Sequence, residues 1–539
     1  MAGITESTAG SVSCWCASSA TMISRSCTDC GAESGIADCD PLDYEPSVGI
    51  NSLMVALEPE GSLTRDEVSQ RAARGAYSVA TRMAVVQGLQ MASALVLARL
   101  IEPDVFGTFA VALTVVGAVR YLGDLGLTTS FITSRTVTQA ALQTGALVML
   151  VMAAAQASVA VALNPLVGAA LEGSDDTTAV VSVLAATLVL DALRFGPNVR
   201  LNRELSFARL NAISLTETVV MYVVQIGLLF AGLGLWALVL AQVGRSASGT
   251  ALSLALGRGA VVPRRRSKIL PLVRDSFSYQ VAPIVVGVTG MAAPLAVGLA
   301  LDAGGVGLWA WSAVLATPLA AILVGVRTVA LTGLSRLGET GQAEQAKAAQ
   351  VTLRLCVLVI AWPAGILCGL APEIVPRVFD ERWLDAVPAV QFVLLGLLAT
   401  AVATVGAAVL ESRREAWTRA RCFATASVIG LTMIYPLSME LGLAGAAIAS
   451  GVVIPLVDAV LLSRQTEITS ARALRTAAVG FGTGYAASAL LAAEYVDSLV
   501  TLGASAFVAA AIAGVVSWLA DREALRVFLR HARPRESMA

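Results

Sequence analysis

The chain has 539 residues, 56% of them hydrophobic and 14% charged, against a charged fraction of about 25% in an ordinary soluble domain. That balance excludes a soluble globular protein and fits a polytopic membrane protein. The net charge of -1 conceals an uneven distribution along the chain.

Residues 1–72 are rich in Ser, Thr, Ala, Gly and acid and carry no sustained apolar run, so they are expected to form a disordered cytoplasmic leader. No basic segment followed by an apolar core marks a secretory signal. Cys14, Cys16, Cys27, Cys30 and Cys39 lie here. Their spacing hints at zinc or iron–sulfur ligation, but no histidine is near, and a plain thiol-bearing tail is the simpler reading. A translation start at Met54 would remove all five.

From residue 76 onward, apolar stretches of spanning length recur, because a bilayer core of about 30 Å needs roughly 20 apolar residues per helix. Candidate spans lie near 76–98, 106–127, 140–163, 178–196, 212–231 and 234–256, then near 277–301, 306–329, 350–371, 386–411, 420–440 and 443–463, and finally near 474–493 and 499–520. The alternation of a β-barrel is absent, so the spans are helical. Cys356, Cys368 and Cys422 fall inside spans and read as small core residues.

The gaps between spans alternate in charge. Arg120, Arg194, Arg200, Arg203 and Arg209, the cluster from Arg258 to Arg274, and then Arg413, Arg414, Arg419 and Arg421 all fall on one side. Only Arg99, Arg377 and Arg382 fall on the other side, and Arg82 and Arg245 lie within spans, which leaves about 32 of the 37 Lys and Arg on a single face. Positive residues stay inside, so both termini are predicted to be cytoplasmic. Trp309, Trp311 and Trp383 sit near predicted outer boundaries and read as interface anchors. The basic tail 521–539 suits a helix lying on an anionic inner leaflet.

Comparison of the chain with itself shows a partial repeat. Residues 97–102 and 106–110 align with residues 297–302 and 306–310 at a shift of 200, each a helix end, an acidic turn and a helix restart. Gly234-Leu235-Trp236-Ala237 resembles Gly442-Leu443-Ala444-Gly445 at a shift of 208. The repeat implies two six-helix bundles, 76–257 and 277–463, joined by the basic cytoplasmic linker 258–276 and followed by two further helices within 474–520.

Three segments carry a family resemblance: residues 99–107, Arg-Leu-Ile-Glu-Pro-Asp-Val-Phe-Gly; Asp124-Leu125-Gly126-Leu127; and Asn202-Arg203-Glu204-Leu205-Ser206-Phe207. In their order and topology they resemble the polysaccharide transporter family of O-antigen, exopolysaccharide and teichuronic acid flippases, within the multidrug/oligosaccharidyl-lipid/polysaccharide exporter superfamily. The resemblance covers roughly residues 76–465. It implies an all-α fold of about 14 transmembrane helices, with two six-helix bundles in a V around a central cavity plus two C-terminal helices. It also implies a lipid-linked glycan as substrate, moved from the inner to the outer leaflet. Membrane lipids and glycan-assembly enzymes are the expected partners; a nucleic acid and a cofactor are not.

Ionisable residues inside a membrane cost about 2.5–3.5 kcal/mol at a helix centre, so they face an interior or mark a site. Arg82 and Gln90 lie about 80° apart on the first span and can border one cavity, as can Glu217 and Gln225 on the fifth. Gln242, Arg245, Ser246 and Gly249 form a polar stripe on the sixth, and Gln280 joins Ser276 and Tyr279 on the seventh. Arg82, Arg245 and Arg327 suit the diphosphate that the resemblance implies, while Gln90, Gln242, Gln280 and Tyr279 suit sugar hydroxyls, and Glu217 is counted with them among the substrate-binding residues. The plain alternative is that Arg82 and Arg327 snorkel to the cytoplasmic interface and that Glu217 pairs with an arginine. Asp458 is the remaining buried acid. Pro283 and Pro294, with glycines around them, make the seventh span the expected hinge.

An enzyme acting on a lipid-linked substrate would need a large external loop or a reactive polar cluster, and neither is visible. No phosphate-cradling glycine–lysine loop points to ATP hydrolysis. The competing function is a cation-coupled multidrug antiporter of the same superfamily, for which Glu217 and Asp458 would supply the carboxylates.

Overall fold

The computed structural model describes residues 85–121, 127–133, 138–170, 176–204, 206–257, 270–338, 342–413, 415–468, 471–495 and 498–520. The predicted leader, Arg82, most of the predicted linker and the basic tail lie outside the described residues. Every regular element among the described residues is helical. In chain order they are α1 (Val85–Leu100), α2 (Pro103–Tyr121), α3 (Leu127–Thr133), α4 (Gln139–Ala170), α5 (Asp176–Leu193), α6 (Phe195–Arg203), α7 (Phe207–Phe230) and α8 (Leu235–Leu256). They continue with α9 (Leu270–Ser312), α10 (Thr317–Gly338), α11 (Gln342–Ile374), α12 (Val387–Ser412), α13 (Ala416–Leu441), α14 (Leu443–Ala447), α15 (Ile454–Thr466), α16 (Ala471–Tyr495) and α17 (Leu499–Ala520). A π turn, Val375–Phe379, and a 3-10 turn, Glu381–Ala386, join α11 to α12, and a second π turn, Ile448–Val453, joins α14 to α15.

Helix is the form in which a span satisfies its own backbone without water. Hydroxyls within the spans follow the same rule, donating to the carbonyl one turn back: Thr114 to Ala110 at 2.7 Å, Thr218 to Ser214 at 2.9 Å and Thr404 to Thr400 at 2.7 Å. The chain is a multi-pass helical membrane protein. Nine helices among the described residues are long and apolar enough to span, or ten if α5 and α6, bent by 43°, count as one. The other predicted spans are represented by three apolar stretches, Val85–Leu100, Pro103–Gly117 and Thr317–Arg327, each bordered on one side by residues that are not fully described, and by α8, whose polar stripe dilutes its apolar run.

Two departures from the predicted boundaries stand out. Helix α9 starts at Leu270, inside the segment expected to be linker. It also runs through both Pro283 and Pro294 as helix, and the break comes at Asp302, with φ 76 and ψ -174. A non-glycine residue in that region costs about 1–3 kcal/mol, offset here as the Asp302 carboxylate accepts from the Gly305 N–H at 2.9 Å. The break therefore serves as the turn expected between the seventh and eighth spans.

Helix α2 lies along α9, α7 along α8, α4 along α5, and α11 is flanked by α12 and α16. One apolar core runs from Leu97 and Val115 through Val297 and Trp311 to Ile360 and Leu394. At the α2–α9 contact a β-carbon added at Gly107 would run into the Ala303 carbonyl, and one at Gly307 into the Pro103 carbonyl. The contact is reciprocal at a shift of 200 residues, the offset at which the sequence repeats. Gly234, with φ 50 and ψ -120, and Gly442, with φ 60 and ψ -140, open α8 and α14 in the same left-handed backbone, at the 208-residue offset.

Candidate functional site

The polar stripe of α8 divides into two parts. Ser246 and Gly249 are buried, Gly249 against the Glu217 side chain of α7, so this edge of the stripe is packing surface. Gln242 and Arg245 are only half-buried, and the Arg245 guanidinium donates to Gln242 Oε1 at 3.3 Å. No carboxylate among the described residues lies within ion-pair distance of Arg245. Helix α7 adds Gln225, which is buried. Gln90 is half-buried on α1, while the Gln280 and Pro283 side chains lie outside the described ones and Pro294 is buried.

Other membrane charges are answered within the protein. Glu217 is bound by Arg194, which also holds Asp191 at 3.0 Å, and Asp191 in turn holds Arg120 at 2.9 Å. This chain of four ties α2, α5 and α7 together at the bend between α5 and α6. Arg327, 51% exposed, reaches Glu411 at 2.6 Å and joins α10 to α12. Asp458 is buried and meets Arg419 at 3.2 Å, whose guanidinium stacks over Phe423. Among the predicted site residues the structure thus brings together Gln242 and Arg245, and it gives Glu217 and Arg327 separate protein partners.

A second constellation lies where α1 turns into α2 and α11 into α12. Arg99 donates to the Val378 carbonyl at 3.1 Å, and Arg382 donates to the Arg99 carbonyl at 2.7 Å. The Trp383 indole donates to the Ala98 carbonyl at 2.9 Å. Trp383 stacks on Trp311 at 4.9 Å, Phe379 meets Trp311 edge-on at 4.9 Å, and Phe106 meets Trp383 edge-on at 6.0 Å. Asp380 accepts from the Arg382 side chain at 3.0 Å and from its backbone N–H at 3.1 Å, and these bonds hold its carboxyl below the usual range. We call this assembly the latch. Next to it lies the Gly107–Gly307 contact.

The latch corrects the reading of the tryptophans. Trp311 and Trp383 are both 0% exposed, so they are buried against each other and anchor nothing in a lipid interface. Trp309 is half-buried, its indole donating to the Ser450 hydroxyl at 3.1 Å. The available sequence signal was the set of arginines on the wrong side of the charge pattern, two of which, Arg99 and Arg382, build the latch. Cys356, Cys368 and Cys422 are free and buried, as their place in the spans suggested. Among the described residues no group of His, Cys, Asp and Glu could hold a metal ion.

Among the described residues the chain is thus a multi-pass helical bundle whose α2–α9 contact is matched at a 200-residue offset, with no carboxylate within ion-pair distance of Arg245 midway along α8. Comparison with known proteins specifies it further. A family model described as polysaccharide biosynthesis protein matches residues 96–388, more than half of the chain, and the chain belongs to that family. Among solved structures it is similar to the lipid II flippase MurJ in its inward closed conformation, with a TM-score of 0.69 at 12% identity over 83% of this chain and 99% of that one. It is also similar to the inward-facing conformation of a multidrug resistance MATE family transporter of the MOP superfamily, with a TM-score of 0.53 at 16% identity over 71% of this chain and 94% of that one. At these identities the likeness is one of fold. No curated protein sequence matches the chain.

Proposed function

We propose that the protein is a flippase that carries a lipid-linked oligosaccharide or polysaccharide precursor across the cytoplasmic membrane for cell-surface polysaccharide biosynthesis. Two halves, 76–257 and 277–463, move against each other in alternating access, with both termini cytoplasmic and the latch facing outward. Family membership, the shared fold and the reciprocal Gly107–Gly307 contact support this reading.

The observation that carries it is Arg245. A half-buried cation whose bonded partner is the neutral Gln242 keeps most of its guanidinium donors for a ligand, and an anionic diphosphate matches them in charge and geometry. Gln242 positions the guanidinium, and Arg82, Gln90 and Gln280 extend the binding surface on sequence grounds. Glu217 and Arg327 act as fasteners between helices, through Arg194 and Glu411. Transport then draws on a gradient or on consumption of the product outside by glycan-assembly enzymes.

A cation-coupled multidrug antiporter is the second reading, favoured by the MATE-like fold. It requires available carboxylates, and Glu217 and Asp458 are bound by Arg194 and Arg419. Deletion of the gene decides between the two: accumulation of lipid-linked glycan in the inner leaflet is the expected result, whereas unchanged glycan with heightened sensitivity to cationic drugs would establish the antiporter.

A further inference from the structure

An apolar cavity of about 590 Å³ lies in the C-terminal part of the bundle, walled by α11, α12, α15 and α16 and well removed in sequence from Arg245. Its lining is apolar except at one end, where Ser463 and Arg464 close α15. Leu395, Leu456, Val460 and Leu474 line it and are exposed, so the cavity is a groove open sideways to the bilayer. Arg464 is exposed and has no ion pair or hydrogen bond to any described residue, and Arg475 stands nearby in sequence on the first turns of α16.

From this we infer that the groove is a binding site for one anionic glycerophospholipid, with an acyl chain between α15 and α16 and the phosphate at Arg464. Three features select that occupant. An apolar trough is filled only by hydrocarbon, since water there would find no hydrogen-bonding partner. The cation at its mouth favours an anionic headgroup, each such residue contributing about 1 kcal/mol near a charged surface. Along α16 the lining runs from Ala473 to Phe481, which at 1.5 Å per residue is about 12 Å, against about 15 Å for half of a bilayer core. A trough one leaflet deep accommodates an acyl chain, whereas a longer polyisoprenoid would project beyond it. The lipid would fill the gap between α16 and the helices behind it and hold the added C-terminal pair against the bundle. This site is independent of what the protein transports.

Native mass spectrometry of the full chain, released from nanodiscs of mixed phosphatidylglycerol and phosphatidylcholine, tests the site. Wild-type protein should retain one phosphatidylglycerol. Ala478→Trp, which places a ring in the groove from its exposed side, should lower retention by about tenfold. Arg464→Gln should keep a lipid bound but lose the preference for phosphatidylglycerol over phosphatidylcholine. Equal retention in wild type and both variants would overturn the assignment. So would displacement of phosphatidylglycerol from wild type, but not from Ala478→Trp, by an equimolar polyprenyl phosphate, because the groove would then belong to the transported lipid. Thermal melts of both variants verify folding, and the headgroup preference of Arg464→Gln decides the question even if Ala478→Trp is unstable.

Discussion

At the latch, Arg382 reaches the Arg99 carbonyl and the Asp380 carboxylate, and Arg99 reaches the Val378 carbonyl; in the middle of α8, Arg245 reaches, among the described residues, only the side-chain oxygen of Gln242. The difference separates two reasons for placing a guanidinium in a membrane protein. A planar fork with five donors can close an interface by crossing it to backbone carbonyls, and there its charge is answered by the fold. Where the described residues leave most of those donors unanswered, as at Arg245, we propose that a ligand recovers the desolvation cost of the cation. The same contrast separates Glu217 from the predicted site: its carboxylate looked available in the sequence and is held by Arg194 in the structure.

The latch half of this comparison can be broken most strongly at Trp383. Trp383→Ala removes a fully buried ring and its bond to Ala98, at a cost of about 3–5 kcal/mol. Labelling of Ala98→Cys by an impermeant thiol reagent added outside should be absent with Trp383 present and prominent once it is replaced. Next come Gly107→Ala and Gly307→Ala, each of which forces a methyl group against a carbonyl of the facing helix and should cost about 1–3 kcal/mol. Because the two contacts are reciprocal, the two variants should expose Ala98→Cys to a similar degree; an effect confined to one of them would show that the repeat does not govern the interface.

The smallest effect concerns pH. Asp380 has a carboxyl held below its ordinary range by Arg382, so its contribution is present above the unfolded value of about 4 and is lost as pH falls through the lower folded value. Latch closure, read as the labelling of Ala98→Cys relative to an exposed control cysteine at each pH so that the falling thiolate fraction cancels, should be flat from pH 5 to 9 and should weaken only below about pH 4. Asp380→Asn should abolish that acid dependence.

The helices were legible because spanning length is a property of consecutive residues. The predicted segments 386–411, 443–463 and 499–520 fall close to Val387–Ser412, Leu443–Thr466 and Leu499–Ala520. The matched turns at Gly234 and Gly442 were also legible, since a left-handed backbone demands glycine locally. The latch was not, because its indole bond joins Ala98 to Trp383, 285 residues apart, and nothing in either neighbourhood names the other. Nor does a run of apolar residues reveal that α5 and α6 bend by 43° at Arg194, where a network of ion pairs takes the place of a straight span. Of the proposed site, the Gln242–Arg245 pair was visible as a helical stripe, whereas the partners of Glu217 and Arg327 lie on other helices and required the fold.

Replacement of Arg245 tests the central claim most directly. With protein levels equal to wild type, Arg245→Ala should leave lipid-linked glycan accumulated in the inner leaflet, and Arg245→Lys, which keeps the charge but loses the fork, should restore export only in part. Normal export in Arg245→Ala would contradict the account.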